Sequence, residues 1–477
     1  MREIADNLLA PGGLLEGAHP WVAYIGTMLV FCLIVFLFVA HAAGIYSWLE
    51  RRIAGRIQNR VGPNRVGPQG FAQWAVDGLK TFQKEDLIPD GADSPLFRLA
   101  PYVAFVGMFG VFVALPFSSS LVIADINVAM VYILAVASIE AIGILLAGYA
   151  SNSKWSFYGG MRSAAQIVSY EVPVALSIMS IIVVTGTLNL QDIIAGQGTV
   201  IWDWNFFYSP FTALAFFCYF IGAIAEINRA PFDLPEAESE LVSGFATEYS
   251  GLRFLFFFFA EWANIYVISA IAVILFFGGW QVPGWETAEL QAAGVPILYT
   301  LLGLTIVGAG YFGYKLGSSK DMPRRKMVTG DTIAATVVSV ALGWGPAITC
   351  SVLLWAALSF GTPAWTGTVM ANIMQVIALM VKTHILVFLV IQARWTLPRL
   401  RVDQMMLVCW KYLTPAAFLT IMGNAFWMVY VHPRSHLQVM TRYGLVAALG
   451  ALVAIYFMKV FANIATTKDT VDMHMRV

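Results

Sequence analysis

Charged residues are scarce in this sequence: Asp, Glu, Lys and Arg make up 12% of its 477 residues. Soluble domains carry about 25% of such residues. Hydrophobic residues make up 59%, and the mean hydropathy is +0.73. This composition excludes an ordinary soluble domain and predicts an all-α polytopic membrane protein. The formal net charge is zero, so we expect no nucleic-acid partner.

Residues that ligate metals are few and scattered. The four cysteines are widely spaced and lie in or beside apolar runs, which is typical of buried thiols and not of a metal site or a disulfide framework. The six histidines show no paired ligand spacing. We therefore expect no metal, no haem, no covalently bound cofactor and no catalytic side chain.

Long apolar runs, in contrast, dominate the chain. A helix that spans a membrane needs about 20 such residues. Eleven runs qualify, near 21–49, 97–117, 126–150, 166–188, 209–228, 254–278, 296–316, 332–360, 369–393, 411–431 and 442–463. Glycines and a proline interrupt the run 332–360, which fits one kinked helix or a re-entrant pair. We count it as one helix.

Lysine and arginine are unevenly distributed over the short loops. They occur in the loops 50–68, 151–165, 317–331 and 394–411, whereas 118–125, 189–208 and 279–295 contain none. Because positively charged loops stay inside, we expect the N-terminus outside and the C-terminus inside. Two arginines do not fit this orientation, since Arg434 and Arg442 would lie outside.

The first inside loop leads into an amphipathic segment. Residues 59–68 repeat Asn-Arg-Val-Gly-Pro twice, which is turn chemistry. In 71–84 the apolar side chains share one face of a helix, and Asp77 and Lys80 fall on the other. We expect an amphipathic helix at the membrane interface, and anchoring alone would explain it.

A strongly acidic segment separates two apolar runs at 225–254. Its acids are Glu226, Asp233, Glu236, Glu238, Glu240 and Glu248, and its cations are Arg229 and Arg253. The prolines on either side of Asp233 fix a turn. The segment 235–242 favours a helix with Glu236 and Glu240 on one face. Like charges this close raise one another's pKa, so that some carboxyls hold protons near neutral pH. A solvated acidic loop is the alternative.

Four consecutive predicted spans carry a glutamate: Glu140, Glu171, Glu226 and Glu261. A carboxylate at the centre of a spanning helix costs about 2.5–3.5 kcal/mol, so four cost on the order of 10 kcal/mol. Folding gives no reason for this load, but a buried acid that protonates readily can pass a proton on. We predict a proton path, with neutral acids or interhelical ion pairs as the alternative. Lys382 in the ninth run is either a partner for one of these acids or a snorkelling residue.

Five runs form long and specific motifs: ERRIAGRIQNRVGPNRVGP, FQKEDLIP, ASNSKWSFYGGMRSAAQIVSYE, AEINRAPFDLPEAESELVSGFATEYSG and RWTLPRLRVDQMMLVCWK. They resemble the H-lettered subunit family of bacterial respiratory complex I, the proton-pumping NADH:quinone oxidoreductase, whose mitochondrial counterpart is the first ND subunit. The resemblance covers about 20–280 and 369–432. It implies an eight-helix subunit of the bacterial inner membrane, at the joint between the membrane arm and the peripheral arm.

The same resemblance implies partners and a substrate. The family forms much of the quinone access channel together with the peripheral-arm subunits that carry the terminal iron–sulfur cluster. Other membrane-arm subunits and the lipid bilayer would be the remaining partners. Quinone would be a substrate, and the chain would carry no redox centre of its own.

Roles for single residues also follow from the resemblance. The quinone-path residues of the family correspond to Arg51 and Asp77, with Lys80 beside them. The family's coupling loop corresponds to Arg229, Asp233, Glu236, Glu238, Glu240 and Glu248. Its buried acid chain toward the pumping subunits corresponds to Glu140, Glu171, Glu226 and Glu261. The residues by themselves predict the acids, whereas only the resemblance supplies the quinone.

The chain exceeds the family pattern in two places. We expect core helices with quinone-side loops over 1–281, an inserted helix pair over 282–368, the last two core helices over 369–432, and an additional helix and tail over 433–477. The prediction is therefore an eight-helix core with about three additional transmembrane helices and the amphipathic interfacial helix.

Three other functions fit parts of the pattern. The same subunit type occurs in membrane-bound hydrogenases and in relatives that use other electron donors. Acids at membrane depth also fit a stand-alone proton-coupled secondary transporter, although we find no internal repeat. A structural anchor would explain the basic first loop but not four buried glutamates.

Overall fold

The computed structural model describes residues 19–67, 70–234, 242–294, 300, 365–431 and 436–474, and the regular elements in these ranges are all helical. The first half contains α1 (Pro20–Ile57), α2 (Gln73–Gln83), α3 (Ser94–Val111), α4 (Ala129–Ala150), α5 (Lys154–Thr185), α6 (Leu190–Ala195), α7 (Pro210–Glu226) and α8 (Gly251–Phe276). The second half contains α9 (Thr287–Ala292), α10 (Trp365–Thr396), α11 (Val402–Leu407), a π-helical turn (Val408–Leu413), α12 (Thr414–Tyr430) and α13 (His436–His474).

Seven helical segments of the described ranges are long and apolar enough to cross a membrane: α1, α3, α4, α5, α8, α10 and the continuous stretch Val402–Tyr430. The apolar helix α7 is shorter, with 17 residues. These eight segments correspond to eight of the predicted runs and confirm the all-α polytopic class. The predicted run 332–360 lies outside the described residues, as does 296–316 except for residue 300, and 442–463 lies within α13.

The first helix is longer than a membrane is thick. Its 38 residues extend over about 57 Å, against a hydrocarbon core of about 30 Å. The helix therefore extends past the lipid tails, and its charged last turns suit the end that does so. This projecting end carries Glu50 and Arg51 and provides one wall of the site described below.

Small residues let the helices of the core approach closely. A Cβ added to Gly143 of α4 would stand 2.5 Å from the backbone nitrogen of Ala104 in α3. At the start of α7, Ser209 and Thr212 form a capping box and Pro210 occupies the first turn, which fixes where this helix begins. These local features set the depth of the acidic residues that follow.

Helix α8 is the most enclosed of the spanning helices. Of its most apolar window, 78% is buried, because α1, α2, α3, α7 and α10 all contact it. Most of α8 is thus inside the bundle, although the side chain of Glu261 is 25% exposed. This helix holds Glu261 and Asn264 on one face, three residues apart.

Lys382 of α10 closes the far end of α8. Its Nζ donates to the backbone oxygens of Phe277, Gly279 and Gln281 at 2.9, 3.1 and 2.8 Å, and it lies 4.4 Å from the ring centroid of Trp204. A cation suits the carbonyl end of a helix. Of the two alternatives for Lys382, pairing with a buried glutamate is wrong for the described residues, since its partners there are carbonyl oxygens and an indole.

Candidate functional site

The amphipathic helix α2 lies against α1 and α8, close to its predicted bounds. It meets the projecting end of α1 through an ion pair: Arg51 Nη1 and Asp77 Oδ2 are 2.5 Å apart. Gln73 Nε2 donates to the other oxygen of Asp77 at 2.8 Å, and Arg51 Nη2 donates to Ser47 at 3.3 Å. Two of the predicted quinone-side residues are therefore in direct contact.

An apolar cavity of about 440 Å³ opens beside this pair, between α1, α2 and α8. Cavities of about 300–1,000 Å³ are typical of small-molecule sites. Its walls include Gly44 of α1, Trp74 and Gly78 of α2, and Phe254 and Phe258 of α8. The cavity can therefore hold a flat, apolar ligand next to one ion pair.

A second cavity of about 440 Å³ lies on the other side of the pair and is more polar. Arg51 and Asp77 line both cavities, and Lys80 and Lys84 line the second, together with residues of 243–251. The ion pair thus marks the boundary between an apolar and a basic compartment. Lys80, which the resemblance sets beside Arg51 and Asp77, lines the second cavity with them.

Tyr249 closes the polar cavity from the loop before α8. Its ring stacks on Phe97 with centroids 4.0 Å apart, and its hydroxyl donates to the carbonyl oxygen of Phe97 at 3.2 Å. Burial raises the pKa of Tyr249 above its usual value, so this hydroxyl stays protonated. Glu248, a predicted member of the coupling loop, is its half-buried neighbour.

A network of charges with a buried centre, Glu50 and Arg229, lies one residue away from Arg51. Glu50 is 5% exposed, and its two oxygens lie 3.0 Å from Arg229 Nη1 and 2.5 Å from Arg394 Nη1. Arg229 Nε is also 2.8 Å from Glu261 Oε1, and its guanidinium lies 4.3 Å from the ring centroid of Trp262. The network joins α1, the segment after α7, α8 and α10. Ionised hydrogen-bonded groups of this kind need all their partners, because an uncompensated buried charge is strongly destabilising.

Glu50 and Arg394 were not predicted as site residues. Glu50 stands at the end of an apolar run beside two arginines. A charged residue at that position is ordinary where a helix leaves the membrane, so Glu50 did not stand out. Consecutive side chains on a helix point about 100° apart, so that Glu50 faces the bundle while Arg51 faces the cavity. One feature of the sequence could have identified Glu50: it is the acidic residue that begins the basic motif ERRIAGRI.

Three of the four predicted proton-path acids share one small cavity. Glu140, Glu171 and Glu226 line a space of about 50 Å³ among α4, α5, α7 and α8, large enough for a few water molecules. Ser138 donates to Glu171, and Asn264 Nδ2 donates to Glu140 Oε2 at 2.9 Å. Their carboxyl groups are therefore surrounded by hydrogen-bonding groups as well as apolar wall.

The fourth acid, Glu261, belongs to the charged network instead. It lies one helical turn from Asn264 on α8, and Asn264 contacts Glu140. Glu261 thus stands between the Arg229 network and the glutamate cavity. Three of the four predicted acids thus share a cavity, whereas Glu261 forms the ion pair that was the alternative for it. The proton path stays a prediction.

The coupling loop is described only in part. Asp233 Oδ2 accepts from Arg399 Nη2 at 3.1 Å, and Gln166 holds the turn by donating to the carbonyl oxygens of Ala225 and Phe232 at 2.7 and 2.8 Å. Arg229 belongs to the network above. The other three predicted loop acids, Glu236, Glu238 and Glu240, lie outside the described residues.

Metal ligands do not converge in the part of the chain that the structure describes: it contains no group of three or more His, Cys, Asp and Glu side chains placed to hold an ion. The site described above consists of carboxylates, guanidinium groups, lysine side chains and apolar walls. Such groups bind neutral or ionised ligands and carry protons.

Comparison with known proteins gives consistent matches. The model of the NADH dehydrogenase family matches residues 29–318 and 326–425. The H-lettered subunit of the NADH-quinone oxidoreductase from Anaeromyxobacter dehalogenans is 43% identical over 411 residues, which are 86% of this chain and 84% of that protein. Its counterpart from Chlorobium luteolum is 36% identical over 436 residues, 90% of this chain and 96% of its own length. With a family match over most of its length, this polytopic helical chain belongs to the NADH dehydrogenase family.

Proposed function

We propose that this membrane subunit of an NADH:quinone oxidoreductase forms the access channel for quinone and couples quinone reduction to proton translocation through its buried glutamates. The complex is supported by the relatives, which are named as NADH-quinone oxidoreductase subunits. The observation that carries the coupling is the series of charged and polar groups between the two kinds of cavity, in which the amide of Asn264 contacts Glu140. Arg51 borders the outer cavities, Glu50 is its neighbour, and Arg229 links Glu50 to Glu261.

The paired cavities support the quinone part of this proposal. A quinone has an apolar ring and tail and two carbonyl oxygens that accept hydrogen bonds. The apolar cavity suits the ring and tail, and its opening toward Arg51 and Lys80 offers donors to the oxygens. The ring would move from the first cavity past the Arg51–Asp77 pair into the second.

In this proposal, electrostatic interaction couples quinone reduction to proton binding by the buried glutamates. Reduction of a quinone to a quinol takes up two electrons and two protons, and both end states are neutral. The charge beside Arg51 therefore changes only while the electrons have arrived and the protons have not. Two unit charges about 10 Å apart, at an effective dielectric constant of about 20, interact by about 1.7 kcal/mol. That energy corresponds to a factor of about 17 in a protonation equilibrium. A change at the ion pair can thus alter proton binding along Glu50, Glu261 and the glutamate cavity.

Orientation and partners belong to the same proposal. We place the N-terminus outside and the C-terminus inside a bacterial inner membrane. Arg442, one of the two dissenting outside charges, forms an ion pair with Asp203 at 2.8 Å, which offsets its charge. Peripheral-arm subunits with the quinone site and the iron–sulfur cluster would cover the basic cavity at Lys80 and Lys84, and other membrane-arm subunits would meet the glutamate side.

Filling the apolar cavity tests the quinone assignment. Gly78 lines it, and a Cβ there would have no atom within 4 Å, so Gly78→Leu places a side chain in the cavity without a backbone clash. We expect the KM for a short-chain quinone to rise roughly tenfold, since overfilling a packed site costs about 1–3 kcal/mol. NADH oxidation by ferricyanide, measured in the same membranes, should not change.

Gly26→Leu is the matched control, because Gly26 is also helical, has open space at its Cβ and lies on α1 away from the cavity walls. Its quinone KM should equal that of the wild type. A Gly78→Leu complex with an unchanged KM would show that quinone does not use this cavity.

A further inference from the structure

A groove of about 780 Å³ lies between α1 and α3, in the half of α1 that is away from the quinone cavities. We call it the α1–α3 groove. Its apolar walls come from one face of α1 and from α3, and they include Met28, Cys32, Val35, Phe109 and Phe112. The side chain of Met28 is 57% exposed, so the groove is open at the surface of the described helices.

The loop after α3 supplies the polar end of the α1–α3 groove, with Ser119, Ser120 and Asp125. Asn189 Nδ2 donates to Asp125 Oδ1 at 2.8 Å. The amide of Asn189 is itself fixed, because its oxygen accepts from the backbone N–H of Gln191 and caps α6. Within the described ranges the second oxygen of Asp125 has no protein partner, and the residue is exposed. The groove thus ends at a carboxylate that is held in place and has one oxygen free for a ligand.

The loops at this end of the bundle are acidic. Asn189 joins the loop after α3 to the loop after α5, and Trp280 of the loop after α8 donates to Gln191 at 3.1 Å. Residues 118–125, 189–208 and 279–295 of these loops contain no Lys or Arg but five acids: Asp125, Asp192, Asp203, Glu286 and Glu289. Of these acids, Asp203 pairs with Arg442 of α13. The charge of the loops therefore favours a cationic group at Asp125 and disfavours an anionic one.

The apolar walls suit an acyl chain better than a neighbouring helix. Helices in a membrane approach one another through small residues, as Gly143 and Ala104 do between α4 and α3. The walls of the groove consist mainly of methionine, valine and phenylalanine side chains instead. The volume of the groove lies in the range of about 300–1,000 Å³ that is typical of small-molecule sites. An amphipathic molecule with an apolar chain and a cationic head therefore fits the groove.

We propose that the α1–α3 groove binds a phospholipid with a primary ammonium in its headgroup, of the phosphatidylethanolamine type. One acyl chain lies between α1 and α3, and the ammonium donates a charge-assisted hydrogen bond to the second oxygen of Asp125. The hydroxyl group of Ser120 lies beside the phosphodiester. A choline headgroup has no N–H to donate, and a glycerol headgroup leaves the charge of the phosphate uncompensated. The site requires only that the chain spans a membrane, and it does not depend on the path of quinone.

Photo-crosslinking with headgroup variants of one lipid tests this inference in the assembled complex. The complex is reconstituted in phosphatidylcholine nanodiscs with a trace of a probe lipid, which carries a diazirine in one acyl chain and ethanolamine, choline or glycerol as its headgroup. After irradiation, mass spectrometry quantifies the labelled peptides that contain Cys32 or Phe109. We expect the ethanolamine probe to label them about two- to fivefold more than either of the other probes, as for one partly exposed ion pair. Peptides of α12 that contain Met422, which is 67% exposed, should be labelled equally by all three.

Variants of the carboxylate complete the test. Asp125→Asn should abolish the preference for the ethanolamine probe, whereas Asp125→Glu should keep it. Asp192→Asn is the matched control, because Asp192 is an exposed acid of the same loops that does not line the groove; its labelling should equal that of the wild type.

Three results would overturn the inference. The first is equal labelling of the groove by the ethanolamine and choline probes in the wild type, which would show that the headgroup is not recognised. The second is a preference that survives in Asp125→Asn. The third is an absence of label at both Cys32 and Phe109 with every probe, which would show that a protein segment fills the groove.

Discussion

Glu50→Gln is expected to lower both the amount of assembled complex and its NADH:quinone activity at least about tenfold, since breaking a buried ion pair from one side costs about 3–5 kcal/mol. The side chain of Glu50 is 7% exposed and that of Arg229 is 3% exposed. Glutamine keeps the shape of the side chain but removes the charge that Arg229 and Arg394 share. Native gels report the assembled complex, and quinone-dependent NADH oxidation in membranes reports the activity.

Asp203→Asn provides the control for that experiment. It makes the same carboxylate-to-amide change in an ion pair with Arg442 whose side chains are 38% and 27% exposed. Pairs this exposed contribute about 0–1 kcal/mol, so assembly and activity should stay near those of the wild type. If Glu50→Gln were as mild as Asp203→Asn, the network would not be a determinant of the structure.

The second large effect is expected for Glu226→Gln, on proton translocation. Glu226 lines the cavity that it shares with Glu140 and Glu171. An amide of nearly the same size fills the same space but cannot bind and release a proton. We expect proton pumping driven by NADH and quinone to fall roughly tenfold or more, as for the loss of one acid–base group. NADH oxidation by ferricyanide should be retained.

Inverted membrane vesicles with a pH-sensitive dye measure this effect. Glu286→Gln is the control, because Glu286 is exposed in the loop after α8, and its vesicles should pump as the wild type does. Full pumping by Glu226→Gln would remove this glutamate from the proton path.

The sequence predicts the helices of this fold well because lipid imposes a simple rule on composition. Each described span coincides with an apolar run, and the one-sided pattern of 71–84 identifies α2. Helix ends are less predictable. The run that forms α1 was expected to end near residue 49, but the helix continues to Ile57, because arginines favour helix as long as they lie beyond the lipid tails.

A residue of the site was predictable only where its type is unusual for its place in the sequence. A glutamate inside an apolar run is conspicuous, so that Glu140 and Glu261 could be singled out before their contacts were known. Glu50 has no such signal, since its importance comes from Arg229 and Arg394, which are distant in sequence. Lys382 shows the opposite case: its charge at membrane depth suggested an acidic partner, but tertiary packing gives it carbonyl oxygens.

Coupling through the buried glutamates is tested most directly by an infrared difference spectrum of the complex, recorded as quinone is reduced. We predict that carbonyl bands of protonated carboxyl groups change in the wild type, and that these changes shrink in Glu140→Gln and Glu226→Gln but persist in Glu286→Gln. Identical carboxyl bands before and after quinone reduction, or equal band changes in all four proteins, would contradict the coupling role of these acids.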